Sequence, residues 1–184
     1  ILRMIDEIKK KTSYGDVLAD PIHLKNPKTF RYIVIGLAAV SFYDCSLDSK
    51  GAAFEYFVRA TLKGKRLGQY FTPRSLVKVM SYLYGREKIV SSLIAGTDVK
   101  VFDPACGTGG FLVFLMQESL RLLEERYQGR EITKATRDAL SGKIMSQVFF
   151  GSDANDGVAC AAKMNMIIFG DGHTNIEAED SLAN

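Results

Sequence analysis

The sequence predicts an α/β protein, a parallel sheet with helices packed on it, preceded by a helical N-terminal region. Three observations carry that prediction. From Asp98 onward, short apolar runs alternate with helical patterns in the order strand, helix, strand, helix, strand, which is how parallel sheets are built. A cluster of glycines separates the first run from the first helix, where a tight βα turn belongs. Before Asp98 the apolar residues recur at helical rather than strand spacing.

The elements follow in order. "ILRMIDEIKKK" opens the chain as a helix, "DPIHLKNPK" makes a Pro/Asn-rich turn, and "TFRYIVIGLAAVSF" is apolar nearly all round, which predicts a buried helix. In "AAFEYFVRATLKG" Phe54, Phe57, Val58 and Leu62 fall on one stripe, with Lys and Arg opposite and glycine as the stop. "YFTPRSLVKVMSYLYG" carries a sharp start: Thr72 as cap, Pro73 at the first helical position, and Leu76, Val77, Met80 and Leu83 as the buried stripe. Such a cap contributes about 1 kcal/mol, so Thr72 has a structural reading as well as a functional one. Then come a strand "VKVFD", a loop "PACGTGG" and a helix "FLVFLMQESLRLLEERYQG". A polar connector over 130–145 leads to the strand "QVFFGSD", the helix "GVACAAKMNMIIFG" and a third strand in "TNIEAEDSL".

Composition narrows the class. At 184 residues the chain is long enough to bury about 70% of its unfolded surface. No apolar run approaches the roughly 18 residues of a membrane span, so a soluble protein is expected. The chain starts at Ile1 without a signal segment and stops at Asn184 after a charged stretch, which reads as a piece of a longer protein. Cys45, Cys106 and Cys160 are odd in number and widely spaced in apolar surroundings, as expected of reduced core thiols in the cytoplasm. Neither they nor His23 and His173 have the paired spacing of a zinc site. Up to Arg74 there are 13 Lys and Arg against 7 Asp and Glu, a net +6, while the remainder carries 11 against 14, a net −3. The basic half suits a polyanion or, more plainly, a solvated helical surface.

Ligands of open parallel sheets bind at the carboxyl ends of the strands, and the glycine loop falls there. Gly107, Gly109 and Gly110 let backbone amides approach a ligand, and the helix starting near Gly110 directs its positive end at an anion. The dinucleotide fingerprint fails because Leu112 stands where its third glycine belongs, and a P-loop fails because "GTGGFL" has no lysine. Asp103, ahead of the loop, would repel a pyrophosphate yet accept from an ammonium group, which points to a zwitterion such as the amino-acid end of S-adenosylmethionine. Asp153, after the second strand, suits ribose hydroxyls, although it lies 43 residues beyond Gly110 rather than about 20. Asp180 closes the third strand and is placed to accept from an adenine amino group. Each acid alone is more simply a helix or turn cap.

With "DPACGTGGF", "GQYFTP", "FGSDAN", "AAKMNM" and "EDSLAN" in view, residues 26–184 resemble the modification subunit of type I restriction-modification systems, N6-adenine DNA methyltransferases. The resemblance implies a Rossmann-like, S-adenosylmethionine-dependent core over 67–184, incomplete at its C-terminus, behind a helical region over 1–66. It places Gln69, Tyr70, Phe71, Thr72 and Pro73 on the methionine side of the cofactor. It sets Asp103, Thr108, Gly109 and Gly110 around the amino acid, Asp153 at the ribose and Asp180 at the adenine. The family usually has Glu where Asp153 stands. Its catalytic Asn-Pro-Pro-Phe/Tyr motif, which grips the extruded adenine, is absent, since "NPK" at Asn26 and "DPA" at Asp103 do not substitute. No catalytic residue or metal ligand is therefore assigned, and the chain is expected to hold the cofactor half of the site. The implied partners are double-stranded DNA, a specificity subunit, a second modification subunit and the restriction subunit. Lys63, Lys65 and Arg66 are positioned to meet DNA phosphates. The alternatives are an Asn-Pro-Pro methyltransferase acting on protein or RNA, and a non-catalytic assembly or DNA-clamping module.

Overall fold

A computed structural model describes residues 26–41, 44–45, 49, 53–54, 56–57, 72–170 and 175–183. The chain divides into two units, Ile1–Tyr56 and Phe57–Asn184.

In the first unit, helix α1 spans Pro27–Ala38. Asn26 caps it by accepting from the Lys28 amide at 3.0 Å, and Pro27 takes the first helical position, so the helix begins inside the expected turn. The expectation of burial is corrected. No residue of α1 is buried, and Tyr32, Ile35 and Leu37 are more than half exposed. An apolar surface all round a helix describes what it can bury, and here the described residues leave it uncovered. The helix expected in "AAFEYFVRATLKG" is described only at Ala53, Phe54, Tyr56 and Phe57, all helical; Phe54 is half-buried, whereas Phe57 is exposed, contrary to the predicted stripe. The opening helix expected from Ile1 lies outside the described residues.

The second unit contains α2 (Arg74–Tyr84), α3 (Lys88–Ile94), β1 (Val101–Asp103), α4 (Gly110–Gln128), α5 (Lys134–Lys143), β2 (Phe149–Ser152), α6 (Asp156–Ile168) and β3 (Ile176–Glu177). The three strands form one parallel sheet in the order β1-β2-β3, with Asp103 opposite Gly151 and Gly151 opposite Ile176. The predicted strand, helix, strand, helix, strand run is therefore present, with shorter strands. Helix α4 packs on β1 and β2, α6 packs on β3, and the two helices touch each other. Leu112, Val113, Met116, Leu122 and Leu123 of α4 join Val148, Phe149, Ala159, Ala162, Met166 and Ile176 in a single core. On the opposite face the register partners Phe102 and Phe150 lie side by side; Phe102 is 58% exposed and the Lys100 ammonium sits 5.3 Å from the Phe150 ring centre.

Three expectations are corrected here. Pro73 occupies the cap position of α2 rather than its first turn, and Thr72 makes no capping bond; the Pro73 carbonyl instead accepts from Leu76 and Val77. The buried residues of α2 are Val77 and Ser81, while Leu76, Met80 and Leu83 are exposed, because the helix rests on α4 along a narrower seam than its apolar pattern offers. The segment 130–145 is not a connector: Thr133 caps α5 by accepting from the Thr136 amide, and a π-helical turn over Ile144–Val148 carries the chain into β2. Ile132 and Leu140 pack against the core and Ile144 is buried in it, a sparse apolar spacing hidden among charged residues. Of the cysteines, Cys106 is buried and Cys45 and Cys160 are half-buried, all free thiols.

Candidate functional site

The carboxyl edge of the sheet is assembled from short polar bonds. After β1 the chain turns at Cys106–Gly109, where the Gly109 amide donates to the Cys106 carbonyl at 2.8 Å. That turn requires positive φ at Gly107 (+56°) and Gly109 (+77°), which glycine adopts without the penalty of a side chain. It is tied to β2 twice: Cys106 N donates to the Ser152 carbonyl at 2.9 Å, and Gly107 N donates to Asp153 Oδ2 at 3.1 Å. Gly151 explains how β2 comes so close, since a Cβ there would meet Leu112 Cδ1 at 2.8 Å, and Cys106 Cβ and Ile176 Cδ1 at 3.0 Å.

Asp153 uses both oxygens on backbone amides, Oδ2 on Gly107 and Oδ1 on Asn155 at 2.9 Å, and its own amide donates to Glu177 of β3 at 3.1 Å. An ionised carboxylate has about four acceptor positions, so roughly two remain for a ligand hydroxyl. Asp103 is half-buried and accepts from Ala105 N through Oδ1 at 3.2 Å. Between these acids lies the Cys106 thiol, pushed up to about 12, first by burial and then by the negative charges of Asp103 and Asp153. The structure thus brings Asp103, Gly107 and Asp153 together around one residue.

Asp180 lies three residues beyond β3 in an exposed turn, where its Oδ1 accepts from the Leu182 amide at 3.0 Å. Its neighbour Ser181 donates to the Pro104 carbonyl at 2.7 Å and accepts from the Ser152 hydroxyl, whose oxygen lies 3.3 Å from the same carbonyl. All three acid-bearing segments are therefore stitched to one edge. Asp180, however, does not close the third strand, which ends at Glu177.

Thr108 is half-buried, its carbonyl held by Asn165 of α6 at 2.9 Å. Gly110 opens α4 with nothing within 4 Å of where a Cβ would stand. Thr72 and Pro73 are exposed at the start of α2, while Gln69, Tyr70, Phe71, Lys63, Lys65 and Arg66 lie outside the described residues. Reading the sequence did not single out Asn165, Ser152 or Ser181. Asn165 left one trace, a polar residue among the apolar residues of "AAKMNM".

The groups at this edge can serve both ends of a zwitterion. The first-turn amides of α4 have no intrahelical acceptor and suit a carboxylate, the Asp103 and Asp153 oxygens suit an ammonium group and ribose hydroxyls, and the open space at Gly110 permits approach. Among the described residues no cluster of His, Cys, Asp or Glu is arranged to hold a metal ion, and no helix is long and apolar enough to cross a membrane.

These features are those of an α/β protein whose parallel sheet and glycine turn are compatible with a methyltransferase-like core. Residues 46–184 match the N-6 DNA methylase family, and the chain belongs to it. It is 33% identical over 125 residues to the type I restriction enzyme HindI methylase subunit of Haemophilus influenzae, covering 67% of this chain and 22% of that one. It is 32% identical over 128 residues to the MjaIX methylase subunit of Methanocaldococcus jannaschii, covering 67% and 17%. A third relative, the type II restriction enzyme and methyltransferase RM.BcgI of Heyndrickxia coagulans, is 33% identical over 119 residues, covering 65% and 15%. The chain spans about a fifth of the length of these curated relatives. The resemblance to type I modification subunits seen in the motifs is thus met by the relatives themselves.

Proposed function

We propose that the protein takes part in site-specific N6 methylation of adenine in DNA, as the modification subunit of a type I restriction-modification system acting in the cytoplasm, and that this chain binds S-adenosylmethionine. The single observation that carries the cofactor reading is the glycine turn between β1 and α4, with Asp103 at its base and Asp153 fastened to its Gly107 amide. In this reading Asp103, Thr108, Gly109 and Gly110 hold the amino acid, Asp153 the ribose and Asp180 the adenine. Gln69, Tyr70, Phe71, Thr72 and Pro73 border the methionine side. The core is Rossmann-like over 67–184, behind a helical region over 1–66. When bound, the cofactor supplies a methyl group on a sulfonium; this chain's residues bind and orient it, and the groups that grip the adenine come from outside the chain, leaving it inactive alone. Double-stranded DNA, a specificity subunit, a second modification subunit and a restriction subunit are the partners this reading implies.

Calorimetric titration with S-adenosylmethionine tests it. Saturable heat is expected from the folded protein, and Asp153→Ala weakens binding by about 1.5–3 kcal/mol, as for a hydrogen bond involving a charged group. Absence of heat at millimolar cofactor sinks the reading, and unchanged affinity in the variant removes Asp153 from the site.

A further inference from the structure

Helix α6 is covered on its inner side by the core, yet one buried position is polar. Asn165 is only 9% exposed, and asparagine is a poor helix former whose amide must be satisfied when buried. Its Nδ2 donates to the Thr108 carbonyl at 2.9 Å, across 57 positions of sequence. One turn earlier on α6, Ala162 is fully buried and lies 3.5 Å from where a Cβ of Gly109 would stand. The small residue lets the turn sit close, and the amide fastens it.

We infer that Asn165 is a positioning residue for the glycine turn, fixing the Thr108–Gly109 peptide so that the ligand-facing amides are presented in one orientation. The carbonyl and the N–H of that peptide are both engaged, by Asn165 and by the Cys106 carbonyl, and the Gly107 amide is engaged by Asp153. Among the described residues the Thr108 amide has no acceptor, so it is the turn's remaining donor, beside the first-turn amides of α4. Without Asn165 the Thr108–Gly109 peptide has lost one of its two anchors, and in a turn flanked by glycines with positive φ a peptide flip meets little steric resistance.

Two variants separate positioning from packing. Asn165→Asp keeps the shape and replaces the donor with an acceptor; Asn165→Ala removes both. Amide NMR and hydrogen exchange on the ligand-free protein are expected to show altered shifts and faster exchange confined to residues 107–110, with α4 beyond its first turn and β2 unchanged. Titration with S-adenosylmethionine, which rests on the cofactor reading above, is expected to show affinity reduced about tenfold in Asn165→Asp, the loss of one hydrogen bond. Unaltered signals at 107–110 in both variants overturn the inference, as does a uniform loss of protection across the sheet, which would make Asn165 a packing residue only. If the unsubstituted protein binds no cofactor, the cofactor reading falls, and the amide measurements still decide the role of Asn165.

Discussion

Helices α2 and α4 carry similar apolar stripes and meet opposite fates. In α4, Leu112, Val113, Met116, Ser119, Leu122 and Leu123 are buried; in α2, Leu76, Val79, Met80 and Leu83 repeat at helical spacing, yet each is exposed by 47% or more. What separates them is attachment. Helix α4 leaves a strand through a turn bonded to β2 and α6, so its direction over the sheet is held by the backbone as well as by packing, whereas α2 rests on α4 with only Val77 and Ser81 of its residues buried. Apolar periodicity identifies the face a helix offers; the connection to the sheet decides whether that face is covered.

Substitutions that probe this contrast differ in size. Met116→Ala, at a fully buried position of α4, is expected to cost about 2–5 kcal/mol in urea unfolding, because a cavity opens among packed neighbours. A cost below that range would mean α4 is less firmly seated than its burial indicates. Gly109→Ala tests the attachment itself: φ of +77° with Ala162 already 3.5 Å away predicts a loss of about 1–2 kcal/mol and weaker cofactor binding. An effect spread over several pH units follows alkali. Burial and the neighbouring Asp103 and Asp153 charges push the Cys106 thiol from 9.0 up to about 12, so its contribution is complete below about 9 and is lost as the pH rises through about 12. Cys106→Ser should flatten that part of the stability profile, and an unchanged alkaline slope would assign it elsewhere. Smallest of all, Leu83→Ser on the 82%-exposed face of α2 is expected to shift stability by no more than about 0.5 kcal/mol. A larger loss would show that this face is covered in solution.

The same contrast explains what could be read from the sequence. The strand, turn and helix succession from Val101 to Ile176 was legible because strand runs, glycine punctuation and helical spacing agree there, and Asp103 and Asp153 followed from their places at the strand ends. Helix α5 was not, because its pattern is mostly polar and its sparse apolar residues pack on a core that the local sequence does not display. α3, only seven residues long, was missed for want of length. The burial assigned to α1, Leu76, Met80 and Leu83 failed for the reason α2 illustrates, and the cap assigned to Thr72 failed because Pro73 itself took that place. Asn165, Ser152 and Ser181 act across 57, 48 and 77 positions, distances over which no local pattern speaks.

The sheet register carries an implication for how the chain reaches its native state. Val101 pairs with Phe149, 48 positions away, while Gly151 pairs with Ile176, 25 away. Halving a loop lowers its closure entropy by only about 0.6 kcal/mol, so either pairing can come first. The bonds that shape the glycine turn leave no such choice: they end on Ser152, Asp153 and Asn165, all of which must already have docked. The cradle is thus a late product of assembly, and a nascent chain acquires it only after α6 has been synthesised and has settled onto the sheet.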